Sequence, residues 1–261
     1  MAAPRMPVVF IGHGSPMNAV EDNDYTRTLA AFGARLPRPR AIVCISAHWM
    51  TEGTWITHQA HPRTIHDFYG FPKPLFEIQY PAPGDPKLAE DIQTATSGIR
   101  INLDDEQWGF DHGAWSVLRH LFPAADVPVL QLSLYMERAA DYHFDVGQAL
   151  APLRDQGVLI LGSGNIVHNL RTIKWDAAAP PYPWAVEFDD WVKSKLDAGD
   201  ARALVADATA TEAGRLSIPT PEHWYPFITV IGAAAPGEKP HTIFDGLQNA
   251  SISMRSVAFG L

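Results

Sequence analysis

Short apolar runs alternate along this chain with stretches whose apolar residues recur at helical spacing. The runs at 8–11, 41–46, 127–134 and 157–161 are almost uninterrupted, the pattern of strands covered on both faces. A shorter run at 55–57 is predicted to pair beside the second. Helices are predicted over 25–36, 86–96, 139–153 and 182–196. In the last of these Trp184, Phe188, Trp191 and Val192 share a face, and Gly199 stands just past the end. Asp111 is placed to cap a helix running to Leu121, and the chain from Pro221 onward also reads as helical. Two strands are predicted after His241. Between 58 and 86 lies a proline- and aromatic-rich stretch, including IHDFYGFPKPLFEIQYPAPGDP. A loop that long is ordinarily functional or disordered, and its aromatic content predicts order. Strand–helix alternation without a polar linker predicts one α/β domain over residues 1–261.

Composition narrows the function. Apolar residues make up 46% of the 261, ample for a large core, and the formal charge is −9. An acidic chain repels phosphate backbones, so no nucleic acid partner is expected. No apolar run approaches the roughly 20 residues of a membrane helix, and residues 1–6 lack the apolar stretch of a signal peptide. The single cysteine, Cys44, cannot form an internal disulfide and sits in an apolar run as a small core residue. A cytoplasmic monomer or homodimer, with no membrane partner, is the expectation. Eleven histidines and 22 prolines stand out.

The histidines fall in a pattern. His13 follows the first run between Gly12 and Gly14, His48 follows the second in Ser46-Ala47-His48-Trp49, and His168 lies just beyond the run that ends in Gly162-Ser163-Gly164-Asn165. Open α/β sheets bind ligands outside the carboxyl ends of their strands. With Thr220 as cap and Pro221 as first helical residue, His223 falls in a first turn, with Pro226 bending the helix behind it or holding it irregular. Asn165 as a cap would place His168 likewise, and Asp111 places His112 at a helix start. Helix N-termini favour neutral imidazole, the form a ligand or a general base requires. His13, His48, His168 and His223 are therefore predicted to share one site. Imidazoles without matching thiols suit Zn, Fe, Cu or Ni. His58, His61, His120, His143 and His241 read as surface or core residues, with His112 and His66 intermediate. Ser15 lacks a nucleophile-elbow pattern, and the glycine-rich 162–165 lacks the Lys-Ser/Thr of a phosphate loop.

The segments GHGSPMNAVEDN (12–23), SAHW (46–49), TIHDFYGFP (64–72), YPAPG (80–84), WGFDHGAW (108–115), GSGNIVHNLR (162–171) and TPEHWYP (220–226) resemble the class III extradiol ring-cleavage dioxygenases. The resemblance runs in order across nearly the whole chain and is strongest to the 4,5-DOPA dioxygenase extradiol branch. It implies a single α/β domain with a central mixed β-sheet flanked by helices. It implies cleavage of a small-molecule catechol beside its two hydroxyls, using O2 and non-haem Fe(II), with DOPA giving a seco-DOPA product. His13 and His48 match the family's N-terminal ligands, His168 and Glu222-His223 its C-terminal site residues, and His112 a pocket histidine. The wider superfamily holds iron with two histidines and a glutamate, whereas bacterial relatives of this branch resemble four-histidine zinc proteins. The resulting reading takes His13, His48, His168 and His223 as ligands, with Glu222 beside them or as the alternative ligand. Fe(II) is expected for turnover, because Zn(II) has no redox chemistry, and Zn(II) in the resting protein. His168 is expected to act as base, His112 to stabilise bound oxygen, and Trp49, His66, Phe68, Trp108 and Phe110 to bind substrate. A zinc-dependent hydrolase, a metal chelatase and a non-catalytic metal- or ligand-binding module on the same fold are the alternatives.

Overall fold

The computed structural model describes residues 5–96 and 98–261. In chain order the elements are β1 (Val8–Gly12), a 3-10 turn (Pro16–Ala19), α1 (Asp24–Gly33), β2 (Ala41–Thr51), β3 (Thr54–Thr57), α2 (Lys73–Phe76), α3 (Pro86–Ala95) and β4 (Ile101–Asp104). There follow α4 (His112–Leu121), β5 (Val129–Tyr135), α5 (Ala140–Leu150), a 3-10 segment (Ala151–Gln156), β6 (Val158–Gly164), α6 (Pro183–Ala198), α7 (Ala201–Ala206), α8 (Glu212–Ser217) and α9 (Tyr225–Ala233). The chain ends with β7 (His241–Phe244), β8 (Leu247–Gln248), β9 (Ile252–Ser253) and β10 (Ser256–Phe259).

The main sheet runs β4-β3-β5-β2-β6-β1-β10-β7. Its centre is parallel, β5 to β2, β2 to β6 and β6 to β1. Antiparallel β10 and β7 extend one side, and β3, antiparallel to β5, extends the other. It is thus a mixed, mostly parallel sheet in a single α/β domain.

Alternation along β1 explains the layers. Val8 and Phe10 pack with Phe227, Ile228 and Val146, on the face covered by α9 and α5. Val9 and Ile11 pack with Leu29, Trp115 and Leu118, under α1 and α4. Successive strand side chains point to opposite faces, so a strand buried on both sides must be apolar throughout. Cys44 is fully buried in the second layer, as expected.

Several boundaries differ from expectation. The run at 41–46 continues as β2 to Thr51, so His48 lies inside a strand. Pairing of β2 to β6 stops at Ser46, and its register to β5 shifts between Ile45 and Met50. That irregularity frees the backbone around His48 from a regular ladder. The expected helix at 139–153 is α5 followed by the 3-10 segment, because Pro152 cannot continue the α-helical hydrogen bonding. Thr220 does not cap a helix. Residues 221–224 form bends and turns, α9 begins at Tyr225, and Pro226 occupies its first turn, where its missing N–H costs no helical hydrogen bond. Asn165 likewise starts no helix: His168 sits in irregular backbone, bridged to Ile252 and donating its N–H to the Ser217 carbonyl.

Candidate metal centre

The site forms where β1 and β6 end and where β2 leaves its pairing with β6. The His13 N–H donates to the Gly164 carbonyl (3.0 Å), extending the β1–β6 ladder by one residue. Gly14 then turns the chain with φ of +62°, a conformation that disfavours any residue with a Cβ. On β6, Gly164 lets the turn at 220–224 approach. The Asn165 N–H donates to the His223 carbonyl (3.1 Å), and a Cβ on Gly164 would lie 2.3 Å from that oxygen. The glycine pattern at 162–164 therefore serves close packing, and through it the placement of His223.

Five imidazoles converge. Ring centroids lie 5.1 Å apart for His13–His48 and for His13–His223, 5.2 Å for His48–His223, and 3.9 Å for His48–His112. His168 stacks on His223 at 3.4 Å. Two groups offer donor atoms within 4.8 Å of one another: His13, His48 and His112, and His168, Glu222 and His223. Glu222 is steadied by Thr220, whose hydroxyl donates to its carboxylate (2.8 Å).

Hydrogen bonds fix which ring nitrogens face inward. The Ser163 hydroxyl donates its one proton to the Gly113 carbonyl (2.6 Å). It must therefore accept from His13 Nδ1–H (2.9 Å), which leaves His13 Nε2 with a free lone pair. That nitrogen faces His48 Nε2 at 3.3 Å. Asp67 accepts from the His112 backbone N–H and from His112 Nδ1–H, each at 2.8 Å, and its Oδ2 lies 3.4 Å from His48 Nδ1. The carboxylate thus holds the Nδ1 proton of His112 and turns its Nε2 toward the cluster, and its charge beside His48 Nδ1 favours a proton there as well. His223 Nδ1 is buried without a hydrogen-bond partner among the described residues. Inward lone pairs at van der Waals separation repel one another unless a cation lies among them, so the donor set fits a divalent ion.

Charge states agree. Burial, followed by the neighbouring imidazoles, holds His13 and His223 well below the ordinary histidine range. His48 is lowered for the same reasons against the opposing pull of Asp67. His168 falls to about 4, by burial and then by His112. The neutrality expected from helix N-termini thus arises at His168 and His223 from burial and mutual proximity. Burial pushes Asp67 up, but its bonds to His112 and the nearby imidazoles outweigh this and take it to about 2. Beneath it Asp111 is fully buried, accepting from Ser46 Oγ (2.6 Å), the Gln131 amide and, as the cap of α4, the Ala114 N–H (3.1 Å). Burial and then the Asp67 charge raise it to about 6.

A cavity of about 450 Å3 opens over the cluster, floored by the five histidines and walled by Asp67, Phe68, Tyr69, Phe71, Leu170, Ile173 and Trp175. Of the aromatic residues expected to bind substrate, Phe68 lines it, with its ring 5.5 Å from His112. The others do not. Trp49 follows His48 in a strand and so faces the opposite way, stacked on Trp108 at 5.7 Å. Phe110 is fully buried in the core against Tyr80. His66 Nε2 is bonded to the Ile78 carbonyl behind Phe68. Sequence reasoning missed Ser163 and Asp67. The only available signal for Asp67 was a carboxylate within an otherwise apolar aromatic loop.

The chain matches the family model described as "Catalytic LigB subunit of aromatic ring-opening dioxygenase" over residues 7–260. It is 48% identical over 263 residues to the 4,5-DOPA dioxygenase extradiol of Escherichia coli (strain K12), covering 100% of this chain and 97% of that protein. It is 37% identical to the Beta vulgaris protein of the same name, covering 96% and 95%. A crystal structure of an uncharacterized Escherichia coli K12 protein superposes with a TM-score of 0.86 at 44% identity, covering 98% of this chain and 100% of that one. With the histidine cluster at the sheet edge, these matches establish that the chain belongs to the LigB family of aromatic ring-opening dioxygenases and is an extradiol dioxygenase.

Proposed function

We propose that the protein opens a catechol ring, that of L-DOPA or a related catechol, with O2, giving a seco-DOPA-type product that retains both oxygen atoms. His13, His48 and His223 would hold Fe(II), with His168 as a further ligand when no substrate is bound and Glu222 alongside. The observation that carries this reading is the set of inward, unprotonated nitrogens fixed by Ser163 and Asp67 at the floor of a cavity wide enough for one aromatic ring. Bound Fe(II) supplies the one-electron chemistry that lets O2 react with a catecholate, which Zn(II) does not. An all-imidazole set also takes up Zn(II) readily, so zinc is expected in protein isolated without added iron.

The protein's own residues perform the proton work. His168 is neutral at pH 7 and lines the cavity, so an imidazole nitrogen is free to accept a catechol proton. His112 is clamped through Nδ1 by Asp67, which fixes its Nε2 over the floor. Once that nitrogen takes up a proton, its N–H donates to negative charge developing on oxygen, with Asp67 balancing the ring's positive charge. Phe68 lies edge-on to His112 and walls the ring in.

The test is anaerobic loading with Fe(II), then addition of L-DOPA and isotopically labelled O2, with mass analysis of the product. Two labelled oxygen atoms in a yellow ring-opened product are expected. His168→Gln is expected to lower turnover by about a hundredfold to ten-thousandfold, the usual contribution of a general base. Full turnover in that variant would refute the role of His168, and a product without labelled oxygen would refute the reaction.

A further inference from the structure

Resting on the ring-opening reading above, we propose that Arg171 binds the side-chain carboxylate of the catechol and makes the site prefer carboxylate-bearing catechols over neutral ones. The reaction itself involves the ring, its two oxygens and O2. Groups at the floor of the cavity therefore treat a DOPA-like molecule and a plain alkylcatechol alike. The two are told apart toward the mouth, where the end of the substrate side chain lies.

Among the described residues, two cations adjoin the cavity lining in sequence: Arg171 beside Leu170, and Lys174 between Ile173 and Trp175. Lys174 Nζ is occupied, 4.8 Å over the Tyr182 ring. The Arg171 side chain is exposed and has no hydrogen bond or ion pair among the described residues. Its backbone is fixed all the same. The Arg171 N–H donates to Asn169 Oδ1 (3.1 Å) and the Thr172 N–H to the Asn169 carbonyl (3.3 Å). Asn169 is tied in turn to the Leu216 carbonyl through its amide (2.8 Å) and to the Ser251 hydroxyl through its carbonyl (2.9 Å). This segment starts at His168 on the cavity floor and reaches the mouth at Leu170, which is 58% exposed. Three residues span at most about 11 Å when extended, and the turn at 169–172 shortens that. A long side chain rooted there can reach a group held above the floor.

The acidic residues of the lining do not oppose this. Asp67 is committed to His112, and Glu222 accepts from Thr220 and lies within 4.8 Å of the His168 and His223 donor atoms, down at the cluster. A carboxylate at the mouth meets a guanidinium instead, whose fork of N–H donors matches its two oxygens. Leu170 and Ile173, on either side of Arg171, cover the hydrocarbon in between.

Zinc-loaded protein, which cannot turn the substrate over, gives binding free of chemistry. Dihydroxyphenylpropionate and propylcatechol share a ring and a chain length and differ in the carboxylate. By isothermal titration at pH 7, the ratio of propionate to propylcatechol affinity is expected to fall about tenfold in Arg171→Gln, the lower end for a hydrogen bond to a charged group. Arg171→Lys keeps the charge and loses the fork, so it is expected to retain part of the preference. Added salt is expected to erode the preference of the native protein and not that of Arg171→Gln. In the iron-loaded enzyme, Arg171→Gln is expected to raise KM for L-DOPA far more than it lowers kcat. An unchanged affinity ratio in Arg171→Gln, or a loss shared equally by the two ligands, would overturn the proposal. The two readings fail separately: an Arg171-dependent preference without O2 uptake by the iron-loaded enzyme would sink the ring-opening assignment and leave the carboxylate site intact. O2 uptake with no such preference would do the reverse.

Discussion

Replacing Asp67 by asparagine tests whether one carboxylate sets the chemistry of two rings. Asp67 accepts from the His112 backbone N–H and from His112 Nδ1–H, both at 2.8 Å, and lies 3.4 Å from His48 Nδ1. Its carboxyl titrates near 2, so it is ionised throughout the physiological range. Hydrogen bonds to a charged acceptor contribute about 1.5–3 kcal/mol each. Asparagine has the same shape, and its oxygen can keep the backbone bond. Its amide nitrogen then faces His112 Nδ1 as a donor, so that ring must give up its Nδ1 proton and carry it on Nε2, and the charge that favours a proton on His48 Nδ1 is lost with it. A protonated Nε2 cannot coordinate. Loss of such a supporting carboxylate typically lowers metal affinity 10- to 100-fold, or about 1.4–2.7 kcal/mol. Competition titration of Zn(II) or Fe(II) against a chromophoric chelator at pH 7 measures this directly, with near-ultraviolet circular dichroism reporting the fold. A folded variant whose affinity stays within about twofold of the native protein would refute the tautomer argument.

Further outcomes follow from the same geometry. Ser163→Ala removes the acceptor for His13 Nδ1–H, and a buried donor left unpaired costs about 1–3 kcal/mol; metal affinity is expected to fall about tenfold, and an unchanged chelator titration would contradict the relay through Gly113. Gly164→Ala places a Cβ against the His223 carbonyl, so metal uptake is expected to be lost, which inductively coupled plasma analysis of the purified variant checks. Buried His143 stacks on Tyr225 at 4.0 Å and titrates near 4 because of burial, against an ordinary 6.5. The folded state thus binds fewer protons than the unfolded state, so this contribution is present above pH 6.5 and is lost as pH falls toward 4. Urea unfolding of metal-free His143→Phe is expected to lose about 2 kcal/mol less than the native protein between pH 6.5 and 4.5; equal losses would show that His143 is not the group responsible.

How far the sequence could be read depends on whether a signal is local. The runs that became β1 and β6, and the Asp111 cap that opens α4 at His112, rest on residues adjacent in sequence, and so did the placing of His13 after a strand. Short edge strand β4, with two of its four residues only partly buried, has too few apolar positions to announce itself, and α7 and α8 are each six residues long. The partners that fix the site are long-range. Ser163 lies 150 residues from His13, and Asp67 lies 45 from His112, so only the folded sheet reveals them. The misplaced aromatic residues were readable in part: with His48 facing the site, strand alternation sends Trp49 to the other face. The placement of His168 and His223 in helical first turns failed because both sit in irregular backbone, ordered by Ser217 and by Gly164.

The central claim is that this histidine cluster binds the iron that makes the protein a ring-opening dioxygenase. Titrating metal-free protein anaerobically with Fe(II), then recording O2 uptake with L-DOPA against iron content, tests it most directly. The account predicts activity that rises linearly to one iron per chain, is absent with Zn(II) alone, and is abolished in His13→Ala. Activity independent of iron, or retained in iron-loaded His13→Ala, would contradict it.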